Sequence, residues 1–394
     1  MHDMDIPDET TSLCIGEELL TLNGRPKHKA AIPLDALTRH MCILGTTGAG
    51  KSTCAEIVCH ELARLHVPTL VLDRTGEYVS SLGKLPGVNT LTPGENLVIC
   101  LFKRKDERPD NEAFPLGAQI EDWVSLLDHF LHTSYSAGLS PLQARVLREV
   151  FEQYCHGARQ PLTITNLILK LREYEDDVAD FRGWPESIEA IVSRLVPMTV
   201  GVVGKALDRS YETFKIDQLF EPGLNIIDLS VIPEDGARNL LSQVVLKEVY
   251  DVIRRKEKTG ALRLVVLLDE AQYLAPNDRG YISIPERCAI ELRKYGFCLA
   301  VCATRPSLIS PDIIANSNTL ISFMLNNQDD IDTVAGFMVG GAAGGHIKET
   351  LRKLPVGEAL LQLNHPQPRD AARCRIGTES QRLALGLSYP LEGQ

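Results

Sequence analysis

No two cysteines in this 394-residue chain stand in a CxxC spacing, although ten are present. Several of them (Cys42, Cys100, Cys298, Cys302) lie inside apolar runs, where a reduced thiol behaves as a small hydrophobe. The expectation is free thiols in a reducing cytoplasm rather than disulfides. Long hydrophobic runs are also missing, and none approaches the roughly 18 residues that a membrane span needs. The opening MHDMDIPDETTS is acidic and polar and offers no apolar signal core, so a cytoplasmic protein is expected. Positive charge is in deficit, with 41 Lys and Arg against 52 Asp and Glu and a net charge of −11. That excludes a protein coating nucleic acid with its whole surface, but not one holding DNA in a narrow basic channel. Aromatic residues seldom accompany the basic clusters, so no platform for stacking single strands is expected. Internal repeats and long low-complexity tracts are absent as well.

What is present is the balance of an ordinary globular protein, 44% hydrophobic and 24% charged, with enough apolar residues for a sizeable core. Residues 1–12 read as a polar tail. Residues 13–38 alternate short apolar pieces with turn signals at Asn23-Gly24 and Arg25-Pro26, as one or two small β-hairpins would. His40–Leu44 and Val67–Asp73 read as buried strands around a helix ending near Leu65. From about 115 to 220 the apolar spacing becomes helical in Ile120–Leu131, Leu142–Tyr154, Ile164–Tyr174 and Ile188–Val196. Strand and helix then alternate again: Asn225–Leu229, a long helix over Ala237–Lys258, Arg263–Leu268, a helix from about Pro285 to Tyr295, Phe297–Ala303, Thr319–Met324, a helix near Asp329–Val339, Glu358–Leu363 and Arg373–Ile376. Continuous apolar strands alternating with helices predict an α/β fold, a mostly parallel sheet covered on both faces and carrying a helical insertion. The glycine-rich run Gly340–Gly345 reads as a flexible loop, since it follows no strand. The expected organisation is an N-terminal tail and hairpin over 1–38, a core in two parts over 39–114 and 221–380, the insertion over 115–220, and a C-terminal tail over 381–394.

Between the first strand and the first long helix, Gly45-Thr46-Thr47-Gly48-Ala49-Gly50-Lys51-Ser52-Thr53 satisfies GxxxxGK[ST] in full. Glycines let the backbone wrap phosphates with its N–H groups turned inward, and the helix start adds partial positive charge. Lys51 would reach the β- and γ-phosphates, and the Ser52 hydroxyl would coordinate Mg²⁺. The strand Leu264–Leu268 delivers Asp269 and Glu270 at its end. Asp269 would support the metal, and Glu270 would orient or deprotonate the attacking water. Together these features predict that ATP and Mg²⁺ are bound and that ATP is hydrolysed. Ala303-Thr304-Arg305-Pro306-Ser307 closes another strand, and Thr304 there either meets the γ-phosphate or its water, or simply begins a turn.

With these motifs in place, the chain resembles the HerA/FtsK group of DNA-pumping ATPases, and HerA most of all, over roughly residues 13–380. The resemblance is carried by Leu37–Leu44 joined to the phosphate loop, by Asp73-Arg74-Thr75-Gly76-Glu77-Tyr78, by the helical insertion, and by Asp269-Glu270-Ala271, Arg293-Lys294-Tyr295-Gly296 and Gly357-Glu358-Ala359. It implies a RecA-like P-loop ATPase core, a homo-oligomeric ring of six subunits, double-stranded DNA as track, and a nuclease or other effector as partner. It also implies that Glu270 is the catalytic base and that Arg293 senses or completes a nucleotide site. Arg39 resembles an arginine that reaches a neighbouring subunit's nucleotide. A cation in the last turn of a helix, such as Arg293 or Lys294, also complements the macrodipole with no further role. Two departures stand out. The family has Gln before Arg-Pro where this chain has Thr304, and the family's N-terminal β-barrel does not fit ahead of the first core strand.

Duplex tracking needs Lys and Arg aimed at phosphates. The candidates are Lys103-Arg104-Lys105, Lys205 with Arg209, and Arg254-Arg255-Lys256, each of which also reads as a solvated surface. The leading function is a ring-forming DNA translocase or helicase. The alternatives are a non-motor regulatory ATPase in an effector complex, for example in antiviral defence, and an ATPase energising export or conjugation.

Overall fold

The computed structural model describes residues 11–19, 29–104, 115–135, 137–157, 161–278, 281–338, 344–364, 370–378, 380–381 and 385–386. The chain divides into two compact units, one of Met1–Thr90, Leu219–Ile226 and Glu257–Gln394, the other of Leu91–Gln218 and Ile227–Lys256. The second unit is therefore wider than the expected insertion, and it takes in the long helix that the sequence reading gave to the core.

The strands are β1 Ser12–Glu18, β2 Lys29–Pro33, β3 Met41–Leu44, β4 Thr69–Asp73, β5 Val88–Leu91, β6 Leu224–Asp228, β7 Leu264–Leu268, β8 Phe297–Ala303, β9 Thr319–Ser322, β10 Glu358–Leu363 and β11 Ala372–Ile376. They form one sheet in the order β2-β1-β11-β10-β9-β3-β8-β7-β4-β6-β5. The strands β9, β3, β8, β7 and β4 run parallel at its centre. Every residue of β3, β4, β7, β8 and β9 is buried. This is why these strands read as unbroken apolar runs in the sequence: a parallel sheet covered on both faces leaves no side for polar residues. Beyond β9 the direction reverses, and β10, β11, β1 and β2 follow one another antiparallel. The β1–β2 hairpin starts at Ser12, so the polar tail is one residue shorter than expected. Gln381, placed by the sequence in a tail, donates its side-chain N–H to the Cys14 carbonyl at 2.6 Å.

The helices are α1 Leu34–Leu37, α2 Lys51–Arg64, α3 Glu77–Leu82, α4 Leu116–Tyr135, α5 Pro141–Gly157, α6 Ile164–Asp177, α7 Trp184–Leu195, α8 Gly201–Leu207, α9 Asp235–Arg254, α10 Ile284–Glu291, α11 Pro311–Ala315, α12 Gln328–Phe337 and α13 Gly344–Lys353. Local chemistry sets several boundaries. The Ser283 hydroxyl accepts from the Glu286 N–H to open α10, and the Asn327 side chain caps α12 in the same manner. The expected helix to Tyr295 stops early: α10 ends at Glu291, a separate 3-10 turn covers Arg293–Tyr295, and Gly296 leaves it at φ +79°. A Cβ on Gly296 would stand 2.1 Å from the Ala261 carbonyl oxygen, so only glycine fits there. Gly344 and Gly345, expected in a loop, instead open α13, while the remainder of that glycine run lies outside the described residues.

Helices α4 to α9 belong to the second unit, packed around Phe102, Trp123 and Phe151, whose ring centroids lie 5.2–5.9 Å apart. Lys247 on α9 bonds Asp122 at 2.7 Å and Asp251 at 2.8 Å, so its charge is compensated within that unit. None of the ten cysteines forms a disulfide, and nine are buried. Among the described residues no single helix is long and apolar enough to cross a membrane.

Candidate active site

Parallel strands direct their carboxyl ends to one edge of the sheet, and the site is assembled there. The phosphate loop leaves β3 and is tied down at once. The Gly45 N–H donates to the Ala303 carbonyl at the end of β8 (3.2 Å), and the Thr46 N–H donates to Met324, just past β9 (2.9 Å). Gly45 lies so close to Phe323 that a Cβ would meet that residue's Cβ at 2.6 Å, while Gly48 and Gly50 hold φ of +77° and +115°. A third fastening comes from the far end of the chain, where the Gly357 N–H donates to Ala49 at 3.0 Å.

Above the loop lies a cavity of about 500 Å³, lined by Lys51, Ser52, Thr53, Asp269, Glu270 and Thr304 among others. The sequence-predicted catalytic, phosphate and metal residues thus meet in one place, apart from the two arginines. The Lys51 ammonium donates to the Thr46 carbonyl at 3.1 Å, across the loop it serves. Its pKa is lowered by burial, against the opposing pull of Glu270 and Asp269. Asp269 is 8% exposed, and its carboxyl is pushed up to about 7 by burial and by the nearby charges of Glu270 and Asp73. A carboxylate so placed favours a cation beside it. Mg²⁺ takes one or two protein oxygens and completes its shell with phosphate and water. Ser52 and Asp269 would hold it.

Asp73-Arg74-Thr75-Gly76-Glu77-Tyr78 gains a role for each residue. The buried Asp73 carboxylate accepts from the backbone N–H groups of Thr75 (3.2 Å), Gly76 (2.8 Å) and Val79 (2.9 Å), which starts α3. Gly76 takes φ +82° to make the turn. The Arg74 guanidinium lies 4.5 Å over the Tyr273 ring. Tyr78 is fully buried, and Glu77 faces the cavity. The Thr75 hydroxyl donates to Asp269 at 3.1 Å and so orients the candidate metal carboxylate. Sequence reasoning quoted Thr75 but gave it no task.

Thr304 reaches the cavity from the end of β8, and its hydroxyl donates to Glu270 at 2.8 Å. Gln272 was missed altogether. Its side-chain N–H groups donate to the same Glu270 oxygen and, at 2.9 Å, to the Thr304 hydroxyl. The signal was available: Gln272 stands two residues beyond Glu270, and a 3-10 turn there folds its side chain back. Arg305, next in the strand-end segment, is paired with the buried Asp330 at 2.9 Å, and Asp330 also receives the Ser307 N–H and hydroxyl.

Arg39 and Arg293 precede β3 and β8, at the opposite, amino edge of the sheet. Strand β3 has four residues and rises roughly 13 Å, which separates Arg39 from the phosphate loop. The two arginines lie close to each other. Burial and then repulsion from Arg293 hold the Arg39 guanidinium below its usual pKa. Among the described residues neither has a carboxylate within ion-pair distance. Between them His40 is fully buried at φ +66°, accepting from the Leu299 N–H at 3.0 Å and donating to the Ala289 carbonyl at 2.8 Å.

Of the basic clusters, Lys103 is paired with Glu212 at 2.5 Å, and Lys105 lies outside the described residues. Lys103, Arg104 and Arg255 are brought together with Lys215 around a second cavity, of about 520 Å³, in the helical unit. Lys205 and Arg209 are exposed elsewhere on that unit.

Residues 18–249 match the family described as Helicase HerA, central domain. The chain belongs to the HerA helicase family. Among curated relatives, the DNA double-strand break repair helicase HerA of Sulfurisphaera tokodaii is 24% identical over 353 residues, covering 84% of this chain and 63% of its own length. The HerA of Pyrococcus furiosus is 23% identical, covering 81% of this chain and 62% of its own length. The chain thus spans less than two thirds of these HerA proteins. In fold it is similar to VirB4 of Thermoanaerobacter pseudethanolicus, with a TM-score of 0.70 at 15% identity over 97% of this chain and 99% of that one. It is also similar to the plasmid coupling protein TrwB in complex with ADP and Mg²⁺, with a TM-score of 0.63 at 15% identity over 93% and 94% of the two chains. The HerA-type chain therefore has the P-loop ATPase fold expected from its motifs.

Proposed function

We propose that this protein hydrolyses ATP with Mg²⁺ as one subunit of a ring that moves along double-stranded DNA. The observation that carries the reading is the division of charge between the two edges of one sheet. Lys51, Ser52, Asp269, Glu270 and Thr304 surround one cavity at the carboxyl edge, whereas Arg39 and Arg293 stand together at the amino edge with no carboxylate partner among the described residues. Neither arginine reaches its own subunit's γ-phosphate, and a head-to-tail neighbour would bring that phosphate to them.

Inward N–H groups of the loop and Lys51 bind the β- and γ-phosphates. Ser52 and Asp269 would hold Mg²⁺, which would supply charge to neutralise the phosphates. Glu270 would orient the attacking water and accept its proton, with Thr304 beside it in the same cavity. A neighbour's arginine then supplies the missing positive charge, a contribution on the order of 10³–10⁵ in rate for this class of reaction. Six subunits, duplex DNA and a nuclease or other effector partner complete the proposal, set in a reducing cytoplasm, a reading that the absence of disulfides supports.

The test mixes Arg39→Ala or Arg293→Ala subunits, each inactive alone, with Lys51→Ala subunits. Partial recovery of ATPase activity is the expected result, because some interfaces then pair an intact arginine with an intact loop. No recovery, together with a monomer by light scattering in ATP, would overturn the ring. ATPase activity indifferent to duplex DNA at every salt concentration would overturn the DNA track.

A further inference from the structure

We propose that Gln272 is a positioning residue for hydrolysis: with Thr304 it fixes the carboxylate of Glu270 in the orientation that addresses the attacking water. This rests on the reading of Glu270 as the base. The three side chains form a closed triangle. One oxygen of Glu270 accepts from the Thr304 hydroxyl at 2.8 Å and from the Gln272 amide, whose second N–H goes to the Thr304 hydroxyl at 2.9 Å. The amide can face only this way, because its other orientation would set two acceptor oxygens against each other. Both donors meet the same carboxylate oxygen, so the second oxygen of Glu270 keeps its lone pairs for water.

Two further observations separate this arrangement from ordinary packing. The Gln272 carbonyl oxygen is buried and has no hydrogen-bond partner among the described residues. A side chain serving only to fill space would be apolar, since burying an unpaired acceptor is costly. The amide is therefore kept for the two bonds made by its nitrogen. In addition, Gln272 sits on a turn that cannot easily yield. Ala271 before it is fully buried, Tyr273 after it is stacked under Arg74 at 4.5 Å, and Glu270 itself holds φ +47°, a strained conformation for a non-glycine residue. The Tyr273 N–H returns to the Glu270 carbonyl at 3.1 Å and closes the turn. Glu270 stands on a strand-end turn that alone would leave its side chain free to change rotamer, and Gln272 removes that freedom.

The experiment measures kcat and KM for ATP and the affinity for a fluorescent ATP analogue with Mg²⁺. The variants are Gln272→Leu, Gln272→Met, Thr304→Val, Thr304→Ser, Glu270→Gln, and Gln272→Leu with each of Thr304→Val and Glu270→Gln. Thermal unfolding identifies any variant that fails to fold, and Gln272→Met, close to Gln in length and volume, stands in for Leu in that case. The expected result is a fall in kcat of about 10- to 100-fold for Gln272→Leu, the scale of a small misplacement of a reacting group, with nucleotide affinity unchanged. Thr304→Ser should restore what Thr304→Val loses, and the Gln272→Leu/Thr304→Val pair should lose less than the product of the single losses. On the Glu270→Gln background, Gln272→Leu should cost nothing further. A native kcat for Gln272→Leu beside a slow Glu270→Gln would overturn the role of Gln272 alone, as would an undiminished further loss on the Glu270→Gln background. A native rate for Glu270→Gln would instead remove the base assignment and this proposal with it.

Discussion

At the carboxyl edge of the central strands, Glu270 and Asp269 face Lys51, and burial together with the charges of Glu270 and Asp73 pushes the Asp269 carboxyl up to about 7. At the amino edge of the same strands stand Arg39, Arg293 and Lys294, and the buried His40 beside them has both ring nitrogens satisfied. The two edges are made from the same β3 and β8. They differ in charge: acidic side chains share a cavity with Lys51 at the first, whereas guanidinium groups stand together at the second.

The sharpest way to break the contrast is at the carboxyl edge. Glu270→Gln should retain ATP yet slow its hydrolysis by on the order of 10²–10⁴-fold, read by single-turnover hydrolysis beside equilibrium binding. A native rate would mean that the carboxylates there are merely a polar strand end. Next in size is the amino edge. Burial, reinforced by Arg293 and opposed by the bond to Ala289, lowers the His40 pKa from 6.5 to about 4. Between those values the unfolded chain binds a proton that the native chain does not, so stability falls as pH drops from 6.5 to about 4. The loss amounts to roughly 3 kcal/mol by pH 4 and is absent above pH 7. Denaturant unfolding across that range checks it. His40→Asn, which tolerates the positive φ, should flatten the dependence in that window.

A smaller effect is expected at Asp73, whose carboxylate holds three backbone N–H groups. Asp73→Ala should destabilise by about 2–3 kcal/mol, seen as a lower thermal midpoint, and should loosen the segment carrying Thr75 and Glu77. Smallest is Thr75→Val. Losing the 3.1 Å bond to Asp269 should weaken Mg²⁺ binding by about 1 kcal/mol, read as a several-fold rise in the Mg²⁺ needed for half-maximal ATPase activity.

The parts of this molecule that were legible in the sequence are those whose cause is local. Unbroken apolar runs announced β3, β4, β7 and β8 because burial on both faces leaves no alternation to read. The phosphate loop and the Asp269-Glu270 pair were legible because each motif spans a few residues. Strand β5, Val-Asn-Thr-Leu, was missed because only its last residue is buried, and α3 because six residues are too few to show a helical period. What joins distant segments was not legible. Thr75 meets Asp269 across 194 positions, and His40 fastens the start of β3 to β8 and α10, on the side where Arg293 bears on Arg39. The helical unit was drawn too narrow for the same reason: α9 has an ordinary helical pattern, and its partner Asp122 lies far away in sequence.

The bond from the Gly357 N–H to Ala49 has a practical consequence. Gly357 leads into β10, β10 pairs with β11, and β11 pairs with β1, so the phosphate loop is braced through the antiparallel side of the sheet. A truncation after Ser322 would keep every nucleotide motif and all five central parallel strands. It would still lose the clamp over Ala49 and the Val356 and Ile376 walls of the cavity. Such a fragment would pass any motif search and bind ATP poorly, so the boundaries of a minimal nucleotide-binding piece lie at β1 and β11, well outside the motifs that define it.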